Sequence, residues 1–326
     1  MWIDRPKNVR LYAALFPILL LAQQPTAPPI TTSVPLVLVP VTVTDAKGNF
    51  IDGLTSDDFV LSDEGVAQKI QLDTSDTVVA PVAIVVLIQS SGISTPALAK
   101  IRKVGSMIEP LLAGERGQAA VITYDEEIRV VQDFTSDGGK IKSVFQGIIP
   151  RTIKSATLFD AIVRGVRMLD SRSEHFRRVM VILGESRDRG SKYKLDPAIE
   201  AAQRENVAIY HVTYSAQATA WTAKPADNPP LPGGMDILGA IGEVGRLGTK
   251  NAADALALAT GGRHLSFARY DGLESALQRV SAEIHSQYLL SFVPRESENR
   301  KLHKISVTVP SRKDAVIRAR SGFWPQ

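Results

Sequence analysis

"PVAIVVLIQSSGIS", residues 81–94, decides the fold. Residues 82–88 are uniformly apolar, and the run stops at Gln89-Ser90-Ser91-Gly92. A strand buried on both faces reads as a continuous apolar run, and small polar residues at its end mark a loop at a binding edge. Three more such runs follow: "QAAVITY", "RRVMVILG" and "NVAIYHVTY". Helical patterns alternate with them, in "TPALAKIRKVGSMIEPLL", "TLFDAIVRGVRMLDS", "LDPAIEAAQREN" and "NAADALALATG". Strands alternating with helices predict an α/β fold with a doubly wound, mainly parallel sheet covered on both faces. Such sheets bind ligands beyond the carboxyl ends of their strands.

The flanks read differently. Val37, Val39, Val41 and Val43 alternate with other residues, as in a half-buried strand, and "DAKGN" and "DEGV" read as hairpin turns. "LTSDDF" reads as a short turn with Thr55 or Ser56 as its cap. After the amphipathic pattern "LESALQRVSAEIHSQ", the β rhythm returns in "YLLSFVP", "HKISVTVP" and "AVIRARSGF". Neither end has enough strands to be stable alone, so the two are expected to pair into one small sheet or sandwich. The expected organisation is therefore a β module over 34–78 and 289–326, with the α/β domain of 81–288 inserted between its halves. Residues 215–250, rich in Pro, Gly and Ala, read as an insertion loop that is either a tolerated surface excursion or a partner-binding lid, with Trp221 the residue to watch.

The start of the chain carries a basic stretch, then "LYAALFPILLLA", then "QQPTAPP". This is the pattern of a secretory signal over 1–24 followed by a linker at 25–33, and it predicts a secreted or periplasmic protein. The apolar stretch is short against the roughly 20 residues that span a bilayer, so no stable membrane span is expected after cleavage, with an uncleaved anchor as the alternative. The 326 residues contain no cysteine, which excludes disulfides, thiolate metal sites and a cysteine nucleophile. A net charge of +4 is too mild to argue for a nucleic-acid partner.

Residues 81–288 resemble a von Willebrand factor type A (VWA) domain. The resemblance rests on Gln89-Ser90-Ser91-Gly92-Ile93 after the first strand, on "SATLFDAI" with Thr157, and on "VILGESRDRGS" with Glu185. The flanks resemble those of a VWA-related group of secreted bacterial proteins abundant in acidobacteria. The resemblance implies a protein-interaction or adhesion module that binds protein or matrix ligands at the top edge of the sheet. It also implies a metal-ion-dependent adhesion site (MIDAS) built on an Asp-x-Ser-x-Ser motif, a Thr and an Asp. Here Ser91, Thr157 and Glu185 stand at ligand positions, while Gln89 and Ile93 stand where ligands are lost. One carboxylate remains at motif positions where the family has two, so the expected site is degenerate, without a bound cofactor. The alternative is an altered site that still holds Mg²⁺ or Mn²⁺, with Asp188 substituting by loop rearrangement. Ser90, Gly92, Asp188 and Trp221 are the expected partner-binding residues.

Simpler roles stand beside these. Thr157 suits an N-cap, with Asp160 three residues on, and Ser91 and Gly92 suit any strand-to-helix turn. No catalytic residue is expected. "GESRD" fails the Gly-x-Ser-x-Gly elbow because Asp188 stands where Gly is needed, and the five histidines show no zinc spacing. A hydrolase using Ser186, Glu185 and Asp188 is the remaining enzymatic alternative.

Overall fold

The computed structural model describes residues 1–2, 36–73, 81–108, 116–173, 175–214, 252–267, 270–294 and 301–325. The chain divides into two units, 1–34 and 35–326, and the elements below all lie in the second. Residues 3–35, with the rest of the expected leader and the linker, and the 215–250 segment with Trp221 lie outside the described residues. Among the described residues no helix is long and apolar enough to cross a membrane.

The central sheet has six strands: β5 (Val82–Gln89), β6 (Gln118–Tyr124), β7 (Ile128–Thr135), β8 (Arg177–Gly184), β9 (Ala208–Thr213) and β10 (His264–Ser266). Their order is β10-β9-β8-β5-β6-β7, and only the β6–β7 edge pair is antiparallel. β5 lies centrally and every one of its residues is buried, which is why its sequence is an unbroken apolar run. Its side chains alternate between two layers. Ile84, Val86 and Ile88 pack with α1 (Thr95–Ile101), α3 (Gly138–Gly147) and α7 (Tyr270–His285) through Leu98, Phe145 and Leu277. Val85 and Leu87 face α4 (Leu158–Asp170), α5 (Leu195–Arg204) and α6 (Ala252–Thr260) through Ile162, Ile199 and Leu256. The long helical pattern after Ser94 is broken: α1 passes through a 3₁₀ turn at Arg102–Val104 into the short α2 (Gly105–Ile108). A Cβ on Gly105 would lie 2.5 Å from that of Phe145, so only glycine permits this close approach of α3.

The flanking strands form two four-stranded sheets. One has the order β13 (Val316–Arg318), β1 (Val37–Thr44), β11 (Tyr288–Phe292), β4 (Ile70–Leu72). The other runs β14 (Gly322–Phe323), β12 (His303–Thr308), β2 (Val60–Asp63), β3 (Val66–Ala67). Each sheet therefore joins strands from both ends of the chain: Val39 pairs with Leu290, and Leu61 with Val307. Val39, Val41, Leu61, Phe292 and Val307 share one core, so the flanks make a sandwich around the inserted α/β domain. The "DEGV" hairpin turns at Glu64 and Gly65, both with positive φ, and a Thr55–Asp58 capping box holds the turn in "LTSDDF".

Two polar clusters tie the sandwich to the α/β domain. Glu283 on α7, fully buried, pairs with Arg263 at 2.7 Å and with Arg318 of β13 at 2.9 Å. The Arg318 contact is close but lacks hydrogen-bond geometry, and Glu283 Oε1 is left without a partner. Arg320, also buried, donates to the carbonyls of Gly322 and Gln203 and to Asn206. Burial holds its guanidinium down to about 10.

Candidate functional site

Four loops meet beyond the carboxyl ends of β5, β6 and β8. Backbone hydrogen bonds hold them together. Ser90 N–H donates to the Tyr124 carbonyl and Arg151 N–H to the Ser90 carbonyl, both at 2.8 Å. Gly92 N–H donates to Ile153, Thr157 N–H to Asp125, and Ala156 and Arg189 exchange a pair of bonds. The sequence folds this way locally because small residues end β5. A Cβ on Gly92 would lie 2.8 Å from the Arg151 carbonyl oxygen.

Gln89 lies at the centre and is fully buried. Its amide nitrogen donates to Ser91 Oγ at 2.8 Å, and its carbonyl accepts the Glu185 N–H at 2.7 Å. Ser94, also fully buried, sets its hydroxyl 3.3 Å from that of Ser91. The cluster therefore contains a second serine hydroxyl, one residue beyond the motif position held by Ile93. Tyr124, opposite Gln89 in the β5–β6 register, and Tyr214 complete the floor. Neither phenol finds a hydrogen-bond partner, although Tyr214 lies beside Ser94. Burial pushes both hydroxyls well above the ordinary tyrosine range, and the Glu185 carboxylate adds to the effect. A Cβ on Gly184 would lie 2.2 Å from the Tyr124 hydroxyl, so β8 must end in glycine here.

The remaining residues singled out by sequence have other partners. Thr157 precedes α4, yet its hydroxyl does not cap the helix. It donates to the Asp125 carbonyl at 2.9 Å. The capping falls to Asp188, whose Oδ1 accepts Phe159 N–H at 3.3 Å, and to Ser191, whose Oγ accepts Asp160 N–H at 3.1 Å. Asp160 in turn accepts from the backbone of Lys192 and Tyr193. Acidic groups at a helix start also meet its positive dipole end. The N-cap expectation for the Thr157 side chain is thus corrected: its hydroxyl is turned to the Asp125 carbonyl, and Asp188 and Ser191 take the N–H groups it would have accepted. Ser90 is buried, its hydroxyl committed to Asp125 Oδ2 at 2.9 Å. Asp125 also accepts from Arg129 and from Glu127 N–H; burial pushes its carboxyl up, and these bonds outweigh burial and hold it below the usual range. Glu185, only 13% exposed, pairs with Arg189 at 3.4 Å.

A hard divalent cation needs about six oxygen ligands in near-octahedral array. These residues do not fit one. The Gln89 amide presents N–H groups, not lone pairs, to Ser91. The Thr157 hydroxyl keeps its lone pairs, but Glu185, the one carboxylate left at the motif positions, is paired with Arg189. Among the described residues, no three His, Cys, Asp or Glu cluster so as to hold a metal. Nor does a hydrolytic set assemble at 185–188. Ser186 Oγ makes no hydrogen bond to Glu185 or Asp188, whose own partners are Arg189 and Ser191.

The mainly parallel sheet, covered on both faces, and this loop cluster at its top edge match the arrangement that the sequence resemblance implied. The chain has a fold of the von Willebrand factor type A kind. No family model and no curated protein sequence matches it. Similar solved structures include BatB from Bacteroides thetaiotaomicron, at 12% identity and TM-score 0.46, covering 63% of this chain and 99% of that one. The vWF domain of the type V pili tip protein Mfa5 from Porphyromonas gingivalis is similar at 10% identity and TM-score 0.45, covering 68% and 99%. Proximal thread matrix protein 1 from the mussel byssus, in a form with a zinc-occupied MIDAS, is similar at 15% identity and TM-score 0.45, covering 64% and 47%. Likeness at such identity is a likeness of fold.

Sequence reasoning missed Ser94, Tyr124, Asp125, Arg189 and Tyr214. Asp125 had a readable signal, a carboxylate directly after a buried apolar strand. A second polar chain also escaped notice. His264 contacts Asp254 at 2.6 Å through Nδ1 and Thr213 at 2.7 Å through Nε2. Thr213 is buried, so this chain braces β10 against β9. His211 is fully buried beside it. Its ring nitrogens face the backbone of Gly184 and Glu185 without closing a hydrogen bond. Burial, then the nearby His264, holds its imidazole down to about 3.

Proposed function

We propose that this chain is a secreted or envelope-associated interaction module whose top-edge loops bind a protein or matrix ligand without a resident metal ion. The observation that carries the reading is the Gln89 bridge. One neutral amide links Ser91 on the first loop to Glu185 on the loop after β8, the two segments a metal ion would otherwise join. The loops are thereby fixed before any partner arrives, and a preorganised surface loses less entropy on binding. Their place at the carboxyl ends of a doubly wound sheet is where such folds bind ligands. In this reading residues 1–24 are a cleaved leader, and the 81–288 domain is carried by the sandwich of the flanks.

Position-specific photocrosslinking tests the proposal. A photoreactive residue replaces exposed Thr152 at the loop cluster, and in a control it replaces exposed Ser143 on α3. The expected result, with envelope extract, is one crosslinked species from position 152 alone, equally strong with and without EDTA. Loss of that species in EDTA would restore a metal-dependent mechanism. Equal labelling from both positions would end the top-edge assignment.

A further inference from the structure

The bridge leaves the site without the positive centre that a divalent ion would supply, yet the loops around it are rich in cations. Arg151 and Lys154 flank the backbone bonds from Arg151 to Ser90 and from Gly92 to Ile153. Arg187 and Arg189 sit on the loop that Gln89 anchors, and Lys192 follows it. Arg151, Lys154, Arg187 and Lys192 are exposed, and their side chains make no ion pair among the described residues. Arg189 is one-third exposed, has a single long contact to Glu185, and leaves its buried Nε–H without an acceptor. The acidic groups of the same loops are mostly engaged: Asp125 by Arg129, Asp188 by Ser191 and Phe159, and Asp160 by two backbone N–H groups.

We propose that these cations recognise carboxylates on an acidic polypeptide segment, taking the part of a metal ion at this edge. The proposal rests on the top-edge reading above and names its partner class. Guanidinium groups present planar pairs of N–H donors that match a carboxylate, and the exposed Arg151 and Arg187 present theirs to solvent. Glu126 and Glu127 remain exposed on the neighbouring β6–β7 turn. They would repel a sulfated glycan, whose stiff chain crowds sulfates and carboxylates onto each sugar unit, more than a flexible peptide whose single carboxylates can turn away from them, so an acidic polypeptide fits better than a sulfated glycan.

Fluorescence anisotropy tests this with the full chain and three labelled probes: a hexaglutamate peptide, a hexalysine peptide and a heparin oligosaccharide. Hexaglutamate should bind, hexalysine should not, and binding should weaken with salt as the screening length falls from about 10 Å at 0.1 M to about 3 Å at 1 M. The triple change Arg151→Glu, Lys154→Glu and Arg187→Glu should weaken hexaglutamate binding roughly tenfold through the loss of three exposed ion pairs. Lys140→Glu with Lys142→Glu is the control. These residues lie on the helix that follows the far end of β7, and the change should leave binding unaltered. Thermal melts check that every variant folds. No hexaglutamate binding, or equal weakening by both sets of changes, overturns the proposal. Tighter binding of heparin, lost in the triple variant, would reassign the surface to a sulfated glycan. If position 152 still crosslinks a partner while hexaglutamate fails, the charge assignment falls and the top-edge reading stands. If the crosslink is absent as well, both fall.

Discussion

Replacing Gln89 with leucine tests the bridge directly. Leucine nearly preserves volume but removes one donor and one acceptor from a fully buried position. The Glu185 N–H then loses its 2.7 Å partner and Ser91 Oγ its 2.8 Å donor. Each buried group left unpartnered costs about 1–3 kcal/mol. The Ser91 loss falls at the low end, because Ser94 stands 3.3 Å away and can turn toward it. The sum is about 2–4 kcal/mol, and at roughly 2–4 °C per kcal/mol for a chain of this size class the melting temperature should fall by about 4–16 °C. Differential scanning fluorimetry reads this, with each sample run in EDTA and in millimolar Mg²⁺. The natural protein should melt at one temperature in both. A Gln89→Leu shift below about 2 °C would mean that the bridge contributes little. A Mg²⁺-dependent rise in the natural protein, abolished by Glu185→Ala, would refute the metal-free reading.

The same scan should separate a rebuilt site from the natural one. Gln89→Asp, Ile93→Ser and Glu185→Asp together should gain Mg²⁺-dependent stability, about 2.7 kcal/mol at 100-fold excess over Kd, and no gain would show that the loop geometry has drifted beyond repair. Gly184→Ala should destabilise by about 1–3 kcal/mol through its clash with the Tyr124 hydroxyl, and adding Tyr124→Phe should recover most of that, as urea melts would show. Glu283→Ala should cost about 3–5 kcal/mol by stranding Arg263 and Arg318, toward the low end because both arginines are partly exposed. His211, held down to about 3 from an ordinary 6.5, stays neutral in the fold while the unfolded chain takes a proton below 6.5. Stability from this group should therefore fall as pH drops from 6.5 toward 3, by about 1.4 kcal/mol per unit, and His211→Phe should flatten that slope in urea melts. An unchanged slope would locate the acid sensitivity elsewhere.

What could be read from sequence was local or periodic. The charge-free run 82–88 announces a strand buried on both faces, and the alternation at Val37–Val43 announces one buried on a single face. Such patterns survive in sequence because burial acts on every residue of an element. The site was legible only as positions. Its hydrogen bonds join Gln89 to Glu185, 96 residues apart, and Thr157 to Asp125, 32 apart, and no local spacing encodes such pairs. Thr157 beside Asp160 looked like a cap by spacing alone. The role went to Asp188, because the folded sheet delivers that loop to the start of α4.

The exchange at position 89 shows how a lost ligand can be replaced by a structural group. A carboxylate there could accept from the Ser91 hydroxyl and the Glu185 N–H, but it would bury a charge that calls for a cation. An amide accepts and donates at once. It can take the Glu185 N–H on one side and give a proton to Ser91 on the other, with no net charge to desolvate. Gln89 is fully buried, where an unpaired charge would be most costly, so the neutral group suits the position better than the charged one unless an ion is present. With the centre neutral, the positive charge that engages a partner has to come from the loop surface, and Arg151, Lys154, Arg187 and Arg189 are placed to supply it.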